Sequence, residues 1–237
     1  MKRHEIRIKE TVAAIIADEK FIPVAEAEIF RQRSCLENYI LENPRFRTAL
    51  EPLSVPEDAP EIVCRMAQSS AKVGVGPMAA VAGAIAEFAL KAMIEMGATH
   101  AIVDNGGDIA LTLTQAVLVG IFTGPAKIKD LGLKFQPRPG IIGVCTSSGT
   151  VGHSLSFGLA DAATVIAGDV SLADAAATAL GNAIKDKNPG LIEGSMRRLM
   201  IDGIEGMIVV VDDIFGVCGN LPEIVKVQMD IEKICKG

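Results

Sequence analysis

The chain's most unusual residues fall in two neighbouring segments. Residues 140–158 have the sequence G-I-I-G-V-C-T-S-S-G-T-V-G-H-S-L-S-F-G, and residues 171–182 have the sequence S-L-A-D-A-A-A-T-A-L-G-N. The last thirteen residues of the first segment carry six hydroxyl side chains, one histidine and three glycines, with no fixed charge. Short polar side chains and glycines let a backbone approach a ligand closely. This composition predicts a ligand-binding loop.

The second segment predicts an alanine-rich helix with a polar pair on one face. Asp174 and Thr178 are four residues apart, and a helix places residues at that spacing on the same side. Two interpretations of the pair remain open. The helix N-terminus could stabilise the Asp174 carboxylate while Thr178 bonds back to a backbone carbonyl. Alternatively, the two oxygens bind a hard cation, for which Mg²⁺ fits better than Zn²⁺ because no His or Cys cluster accompanies them.

Composition limits the class of protein. Of 237 residues, 49% are hydrophobic and 22% are charged, with no Trp and one Tyr, which is typical of a globular chain with an aliphatic core. The net charge of −6 argues against a nucleic-acid partner, which requires a clustered positive field. Five cysteines without CxxC spacing argue against a disulfide framework or structural zinc, and favour the cytoplasm. The uncharged stretches 109–126 and 139–160 are broken by Pro, Gly and polar residues, so no membrane segment is expected.

Periodicity predicts an α+β chain. We expect one domain over 1–237, comprising an N-terminal extension (1–60), a motif-bearing core (73–184) and a closing helix and strands (185–237). The predicted helices are Pro23–Leu41, Pro60–Ala71, Ala79–Met96 after the Gly76-Pro77 turn, Leu172–Ile184 capped by Ser171, and Asn188–Met200. The predicted strands are His4–Ala17 (an edge strand or a hairpin), Thr99–Val103, Ile109–Leu113, Ala116–Phe122, Leu131–Gln136, Ile141–Cys145, Ala162–Ala167, Met207–Val211, Ile214–Cys218 and Ile224–Val227.

Two further glycine-containing motifs have both a structural and a functional interpretation. Gly76-Pro77 precedes a helix whose small residues allow close packing, and whose first turn could also accept an anion. The segment Asp104-Asn105-Gly106-Gly107-Asp108 is a strong turn signal, because both glycines can take a positive φ. The same glycines could let a ligand lie against bare backbone. His153 could act as an acid or base, or only hydrogen-bond its loop. A serine hydrolase is disfavoured since no G-x-S-x-G motif is present.

Four motifs in this order resemble the FAD:protein FMN transferases, the ApbE-like proteins formerly named for thiamine biosynthesis. They are G-P-M-A-A-V-A-G-A-I-A, A-I-V-D-N-G-G-D-I, G-V-C-T-S-S-G-T and L-A-D-A-A-A-T-A-L, and together they span about residues 73–184. The chain is similar above all to a shorter branch of that superfamily found in archaea and bacteria. The resemblance implies an α+β fold of the T-fold, ApbE-like type, with antiparallel-rich sheets packed against Ala-rich helices.

The resemblance also implies a function and a set of site residues. Mg²⁺ would be held by Asp174 and Thr178 with a backbone carbonyl from the Gly76–Ala80 turn, and FMN would pass from FAD to a Ser or Thr of an acceptor protein. His153 is the catalytic candidate. The residues implied to bind FAD or FMN are Gly76, Pro77, Met78, Ala79, Asn105, Gly106, Gly107, Asp108, Thr146, Ser147, Ser148, Gly149, Thr150, His153 and Ser154.

Three features depart from the transferase pattern. The glycine-rich segment has Met78-Ala79-Ala80-Val81 where the transferases carry a Lys, their His-Ile-Ile-Asp-Pro motif is absent, and no exported leader is recognisable. Two alternatives to a transferase follow: a T-fold protein that binds a pterin, purine or nucleotide-like ligand without diphosphate chemistry, and an oligomeric structural protein with a vestigial pocket. By analogy a homo-oligomer is expected.

Overall fold

Runs of strands and runs of helices follow one another along the described chain. The computed structural model describes residues 1–149 and 158–228. The strands are β1 (Lys2–Ile8), β2 (Thr11–Ala17), β3 (Ala101–Asn105), β4 (Asp108–Leu113), β5 (Val117–Ile121), β6 (Leu131–Phe135), β7 (Arg138–Ser147), β8 (Ala162–Ala167), β9 (Ile204–Val211), β10 (Ile214–Gly219) and β11 (Glu223–Lys226). The helices are α1 (Ile22–Glu42), α2 (Arg45–Thr48), α3 (Glu61–Val73), α4 (Val81–Glu95), α5 (Val170–Ala183) and α6 (Pro189–Leu199), with 3₁₀ turns at Glu19–Phe21 and Pro77–Ala80.

Two antiparallel sheets form the framework. The larger sheet has the strand order β1-β2-β3-β4-β7-β8-β9-β10, and the smaller has the order β11-β6-β5. All pairings between these strands are antiparallel. β8 lies inside the larger sheet and is buried along its whole length, as expected for a strand covered on both faces. This architecture confirms the expected α+β class.

The larger sheet is the middle of three layers. One of its faces joins the helices in a core that includes Ile15, Val103 and Val165, and the opposite face packs against the smaller sheet through Leu111, Ile142 and Leu133. Successive side chains of a strand point to opposite faces, so the central strands supply residues to both cores. α4 lies against β3 and β4, and α5 lies against β7 and β8.

Small residues allow α4 and α5 to approach each other and the sheet. A Cβ on Gly83 of α4 would lie 2.7 Å from the Cβ of Asp174 in α5, and a Cβ on Gly143 of β7 would lie 2.8 Å from the Cα of Val170. Neither distance is compatible with a larger residue unless the backbone shifts. The small face of α4 was expected to lie against a sheet; α4 does pack on β3 and β4, and its Gly83 also lets it approach α5 closely.

The N-terminal elements extend the same layers. β1 and β2 form the hairpin at one edge of the larger sheet, and α1 packs on α4. The short helix α2 follows Asn43-Pro44, where the sequence predicts the end of α1. Phe46 of α2 is fully buried, and its ring meets that of Tyr39 edge-on at 5.3 Å. This aromatic contact fixes α2 against α1.

One predicted cap is wrong. Ser171 does not begin α5, because the helix starts at Val170 and its N-cap is Asp169, whose carboxylate accepts from the Leu172 backbone N–H at 2.8 Å. Ser171 instead lies in the first turn and donates to Glu87 of α4. Both Asp and Ser are good N-caps, so the sequence favoured the wrong one of two neighbouring candidates.

Burial in the core accounts for the high hydropathy of the stretch Pro77–Glu95. In the described part of the chain, one helical stretch, Pro77–Glu95, has the length and hydropathy of a membrane span, and 61% of it is buried inside the protein. A buried core helix has the same composition.

The described cysteines Cys35, Cys64, Cys145 and Cys218 are free thiols.

Candidate functional site

A cavity of about 680 Å³ opens between the N-terminal elements and the end of the larger sheet. This volume lies within the range of small-molecule sites in proteins. Its lining comes from the β1–β2 turn, α1, α2, the first turns of α4, the β3–β4 hairpin and the end of β7. The lining residues are Lys9, Glu10, Thr11, Arg33, Leu36, Glu37, Ile40, Leu41, Arg47, Met78, Val81, Ala82, Ile85, Asn105, Gly106, Asp108, Thr146, Ser147 and Ser148.

The Asn-Gly-Gly segment forms the predicted tight hairpin. Asn105 pairs with Asp108 across the strands, and Gly106 and Gly107 have φ values of 68° and 99°. The Asp104 carboxylate accepts from the Gly107 backbone N–H at 2.9 Å, so this acid has the turn-forming role. The Asn105 amide donates to the Ala82 carbonyl at 3.0 Å. The hairpin is thereby tied to the start of α4, and it directs Asp108 towards the cavity.

Asp174 is a buried carboxylate held by the start of a different helix. It is 7% exposed, and its Oδ2 accepts from the Gly83 backbone N–H at 2.8 Å. A second bond comes from the Ala82 backbone N–H. Burial raises the pKa of Asp174 to about 7, although these two amides favour the charged form. Because α5 begins at Val170, the carboxylate lies beyond the first turn of its own helix and is stabilised by the N-terminus of α4.

Asp108 is a second carboxylate, close enough to Asp174 for their charges to interact. Its pKa is raised well above the usual range, first by burial and then by the negative charge of Asp174. The Thr146 backbone N–H and the neighbouring Cys145 side chain favour the charged form of Asp108 and partly oppose the shift; the Cys145 thiol itself donates to the Val170 carbonyl at 3.6 Å. Burial and the two carboxylates in turn raise the pKa of Cys145, so the thiol stays protonated as a donor. Two carboxylates that share a buried site cannot both ionise unless a cation joins them.

A third buried carboxylate, Glu87 of α4, shows the opposite behaviour. It accepts from Arg65 at 2.6 Å, from Lys91 at 2.7 Å, and from the Ser171 hydroxyl and backbone N–H at 3.0 and 3.1 Å. Burial opposes its ionisation, but the hydrogen bond from Lys91 and the charges of Arg65 and Lys91 hold the pKa of Glu87 below its ordinary value. Glu87 is therefore a satisfied structural anion, although nothing in its sequence context singled it out.

The hydroxyl-rich segment contributes to the cavity at the end of β7. Thr146, Ser147 and Ser148 line it, and the Thr146 hydroxyl shares a 2.9 Å hydrogen bond with the Thr164 hydroxyl of β8. Gly149 lies outside the lining set and donates its backbone N–H to the Ala160 carbonyl. Of the other residues predicted in this loop, Thr150, His153 and Ser154 lie outside the described residues.

The glycine-rich turn before α4 divides between the cavity and the interior. Met78 lines the cavity, whereas Gly76, Pro77 and Ala79 do not. A Cβ on Gly76 would lie 1.8 Å from the Ala49 carbonyl oxygen, so this glycine is required by packing against the chain after α2. The carbonyls of Gly76 and Met78 accept hydrogen bonds within the turn. Thr178 is half-buried on α5, one turn beyond Asp174.

Sequence reasoning missed the cavity wall that the N-terminal extension supplies. Lys9, Arg33 and Arg47 bring positive charge to it, and Leu36, Ile40 and Leu41 of α1 bring apolar surface. The sequence held one indirect signal for this wall: apolar residues on α1 continue into Ile40 and Leu41. In the structure Leu41 is 78% exposed.

Likeness to solved structures defines the class of fold. The apo form of the flavinyl transferase ApbE from Pseudomonas stutzeri superposes with a TM-score of 0.57 at 13% identity, covering 92% of this chain and 94% of that one. A mutant form of the flavin transferase ApbE from Vibrio cholerae gives a TM-score of 0.50 at 15% identity, covering 92% and 97%. The chain has the ApbE-like α+β fold.

Sequence comparison gives the family. The family model "AbpE bacteria" matches residues 2–215. UPF0280 proteins from Methanocella arvoryzae, Methanosarcina acetivorans and Archaeoglobus fulgidus are 50%, 46% and 44% identical over 100% of this chain and 96%, 94% and 100% of theirs. The chain belongs to this ApbE-like family, as the order of its four motifs predicted.

Proposed function

We propose that the protein binds FAD together with Mg²⁺ and transfers FMN to a Ser or Thr of an acceptor protein. The observation that carries the proposal is a pair of interacting carboxylates: Asp108, which is half-buried and lines the cavity, and Asp174, which is buried and does not line it, but whose negative charge raises the pKa of Asp108. The ApbE-like fold is shared with proteins whose titles name them flavin transferases, which supports flavin as the ligand.

The donor set suits a hard cation. Among residues 1–149 and 158–228, no group of three or more His, Cys, Asp or Glu side chains is placed to hold a metal ion, so a closed zinc-type site is not available there. Mg²⁺ binds through one or two carboxylates and completes its shell with water and ligand phosphates. Asp174 and Asp108 would supply the carboxylates and Thr178 a hydroxyl. Bound there, the ion would neutralise charge on the diphosphate of the ligand.

The cavity walls suit the two halves of a dinucleotide. Apolar side chains from α1 and α4, among them Ile40, Val81 and Ile85, face polar groups at the end of β7, among them Thr146 and Ser148. An apolar wall favours a ring system, and hydroxyl groups favour ribityl or phosphate oxygens. The volume of about 680 Å³ is large enough for a ligand of this class.

The reaction itself is a displacement at phosphorus. The acceptor hydroxyl oxygen forms a bond to the phosphorus of the FMN moiety, the P–O bond to AMP breaks, and the hydroxyl proton leaves to a base. His153 is our candidate for that base. The contribution of the chain would be to hold the diphosphate through a cation at Asp108 and through the β7 hydroxyls, and positioning of this kind supplies much of the rate in phosphoryl transfer.

Calorimetry tests the proposal. We expect FAD to bind the wild-type protein with Mg²⁺ and to bind at least tenfold more weakly when EDTA replaces the metal or when Asp174 is changed to Ala, which removes the carboxylate. Candidate acceptor proteins are then incubated with the protein, FAD and Mg²⁺. Mass spectrometry identifies as acceptors those that gain FMN. Binding of FAD without metal dependence would favour the non-catalytic role of a T-fold ligand-binding protein, and failure to bind FAD under either condition would reject the proposal.

A further inference from the structure

The three cationic residues of the cavity wall differ in what neutralises them. Lys9 pairs with Glu37 at 2.5 Å. Arg33 pairs with Glu10 and Glu37 at 2.8 and 2.9 Å and also donates to the Thr11 hydroxyl. These two cations and two carboxylates form a closed network that holds the β1–β2 turn against α1. They carry little net charge towards the cavity.

Arg47 has no such partner in the part of the chain that the structure describes. Within residues 1–149 and 158–228 no carboxylate lies within ion-pair distance of its guanidinium, and the residue is exposed while lining the cavity. With Lys9 and Arg33 neutralised in their network, Arg47 and Asp108 are the lining charges left without an ion pair among the described residues. The cavity is therefore positive at Arg47 of α2 and negative at Asp108.

Arg47 is also presented from a fixed position. It follows Phe46, which is fully buried and packs edge-on against Tyr39. After α2 the Ala49 carbonyl lies against Gly76 so closely that a Cβ there would be 1.8 Å away. The backbone of α2 is thus anchored on both sides, to α1 and to the turn that begins α4. The backbone that carries Arg47 therefore needs no further ordering when the side chain binds a ligand.

We propose that Arg47 binds a phosphate group of the ligand. This inference deepens the proposed function, on which its choice of a diphosphate ligand rests. A guanidinium is permanently charged and can donate two parallel hydrogen bonds to one phosphate. The Asp108 carboxylate in the cavity wall would repel an anionic ligand in the absence of a cation, and Arg47 supplies one from the N-terminal extension. The glycine-rich turn of this chain, Met78-Ala79-Ala80-Val81, carries no basic residue itself.

The test compares Arg47→Gln with Arg45→Gln by calorimetry in the presence of Mg²⁺. Arg45 is exposed on the same short helix but does not line the cavity, so it controls for loss of one positive charge from α2. The probes are FAD, ADP, inorganic pyrophosphate and riboflavin. We expect Arg47→Gln to weaken FAD, ADP and pyrophosphate by roughly tenfold or more, the usual loss for a charged hydrogen bond. Riboflavin binding should not change, and Arg45→Gln should match wild type for every probe.

The probe series separates the two proposals. If ADP and pyrophosphate bind and depend on Arg47 while FAD and riboflavin do not bind, the flavin function is rejected and the phosphate-binding role of Arg47 stands. If FAD binds equally well to wild type, Arg47→Gln and Arg45→Gln, the role of Arg47 is rejected and the flavin function stands. If both variants lose the same affinity for the phosphorylated probes, the loss is due to net charge alone and the inference is overturned. If no phosphorylated probe binds the wild-type protein, both proposals fail.

Discussion

The pKa values of two carboxylates at the α4–α5 contact are shifted in opposite directions. Asp174 of α5 accepts hydrogen bonds from the first turn of α4, and Glu87 of α4 accepts them from the first turn of α5. Each helix therefore uses an acid from its neighbour to satisfy its N-terminal amides. Both acids are buried, at 7% and 2% exposure, so burial penalises the charged form of each.

Cations make the difference between them. Arg65 and Lys91 lie within 2.7 Å of Glu87, and the pKa of Glu87 falls below its ordinary value. Asp174 has amide partners and another carboxylate, Asp108, in electrostatic range, and the pKa of Asp174 rises to about 7. The comparison teaches that a helix N-terminus alone does not stabilise a buried carboxylate fully. Among the described residues, Glu87 has cationic partners and Asp174 has none. A bound Mg²⁺ would supply the missing positive charge.

Removing the satisfied acid should have the largest effect. Glu87→Ala leaves Arg65, Lys91 and the start of α5 without their shared partner. We expect a loss of about 3 kcal/mol in the free energy of unfolding, towards the lower end for a broken buried pair because both cations keep part of their surface in water. Urea unfolding measures it. Glu193→Ala, which breaks the exposed pair with Arg197, is the control and should cost less than about 0.5 kcal/mol. Similar losses in the two variants would contradict the assigned role.

Gly83 tests how closely the two helices must approach. Gly83→Ala places a methyl group 2.7 Å from both the Asp174 Cβ and the Val170 carbonyl oxygen, and we expect about 2 kcal/mol of destabilisation from overpacking. Gly194 of α6 has open space around the position of a Cβ. Gly194→Ala should therefore stabilise the protein by roughly 0.5–1 kcal/mol through helix propensity. Differential scanning calorimetry distinguishes the two signs, and a neutral Gly83→Ala would show that the contact tolerates movement.

The smallest expected change in stability concerns Thr178. Because Thr178 is half-buried, Thr178→Val should alter the free energy of unfolding in EDTA by about 1 kcal/mol at most. Its Mg²⁺ affinity should nevertheless fall by roughly tenfold. Thr112→Val, at another half-buried threonine in β4, should leave the affinity unchanged. A large loss of stability in EDTA would instead assign Thr178 to helix packing.

Much of the fold could be predicted from local patterns. β8 was predicted with the observed bounds because Ala162–Ala167 is a short apolar run between polar turns. α1 was predicted to within one residue at each end because Asn43-Pro44 stops its apolar stripe. The hairpin at Gly106-Gly107 followed from the need for positive φ. These features depend on neighbours in sequence, which a single chain makes visible.

Long-range contacts account for what could not be predicted. The α4 partner of Asp174 is 91 residues away in sequence, so its own helix was the only stabilising terminus that the sequence could suggest. Glu87 and Arg65 gave no signal, since a charged residue on a helix is ordinarily solvated. Arg47 directly follows the helix stop Asn43-Pro44 in sequence, and the packing of Phe46 and Ala49 brings it to the cavity. The order of the strands in the larger sheet likewise depends on pairing between distant segments.

The direction of the pH effect follows from the Asp174 pKa. Its folded-state pKa of about 7 exceeds the unfolded value near 4. Its contribution to stability is therefore complete below about pH 4 and is lost as the pH rises through about 7 in the metal-free protein. Mg²⁺ should reverse that loss, because it binds the ionised form and competes with the proton. Glu87, with a lowered pKa, makes the opposite contribution, which is lost only as the pH falls through its folded-state value.

The most direct measurement is the shift in melting temperature that Mg²⁺ causes at pH 8 and at pH 5.5, in wild type and in Asp174→Asn. A ligand at a hundred times its dissociation constant stabilises a protein by about 2.7 kcal/mol. The predicted result is a rise of several degrees for the wild-type protein at pH 8, which disappears at pH 5.5 and in Asp174→Asn at both pH values. An equal Mg²⁺ shift in Asp174→Asn, or no shift in the wild type at pH 8, would contradict the assignment of Asp174 to a metal site.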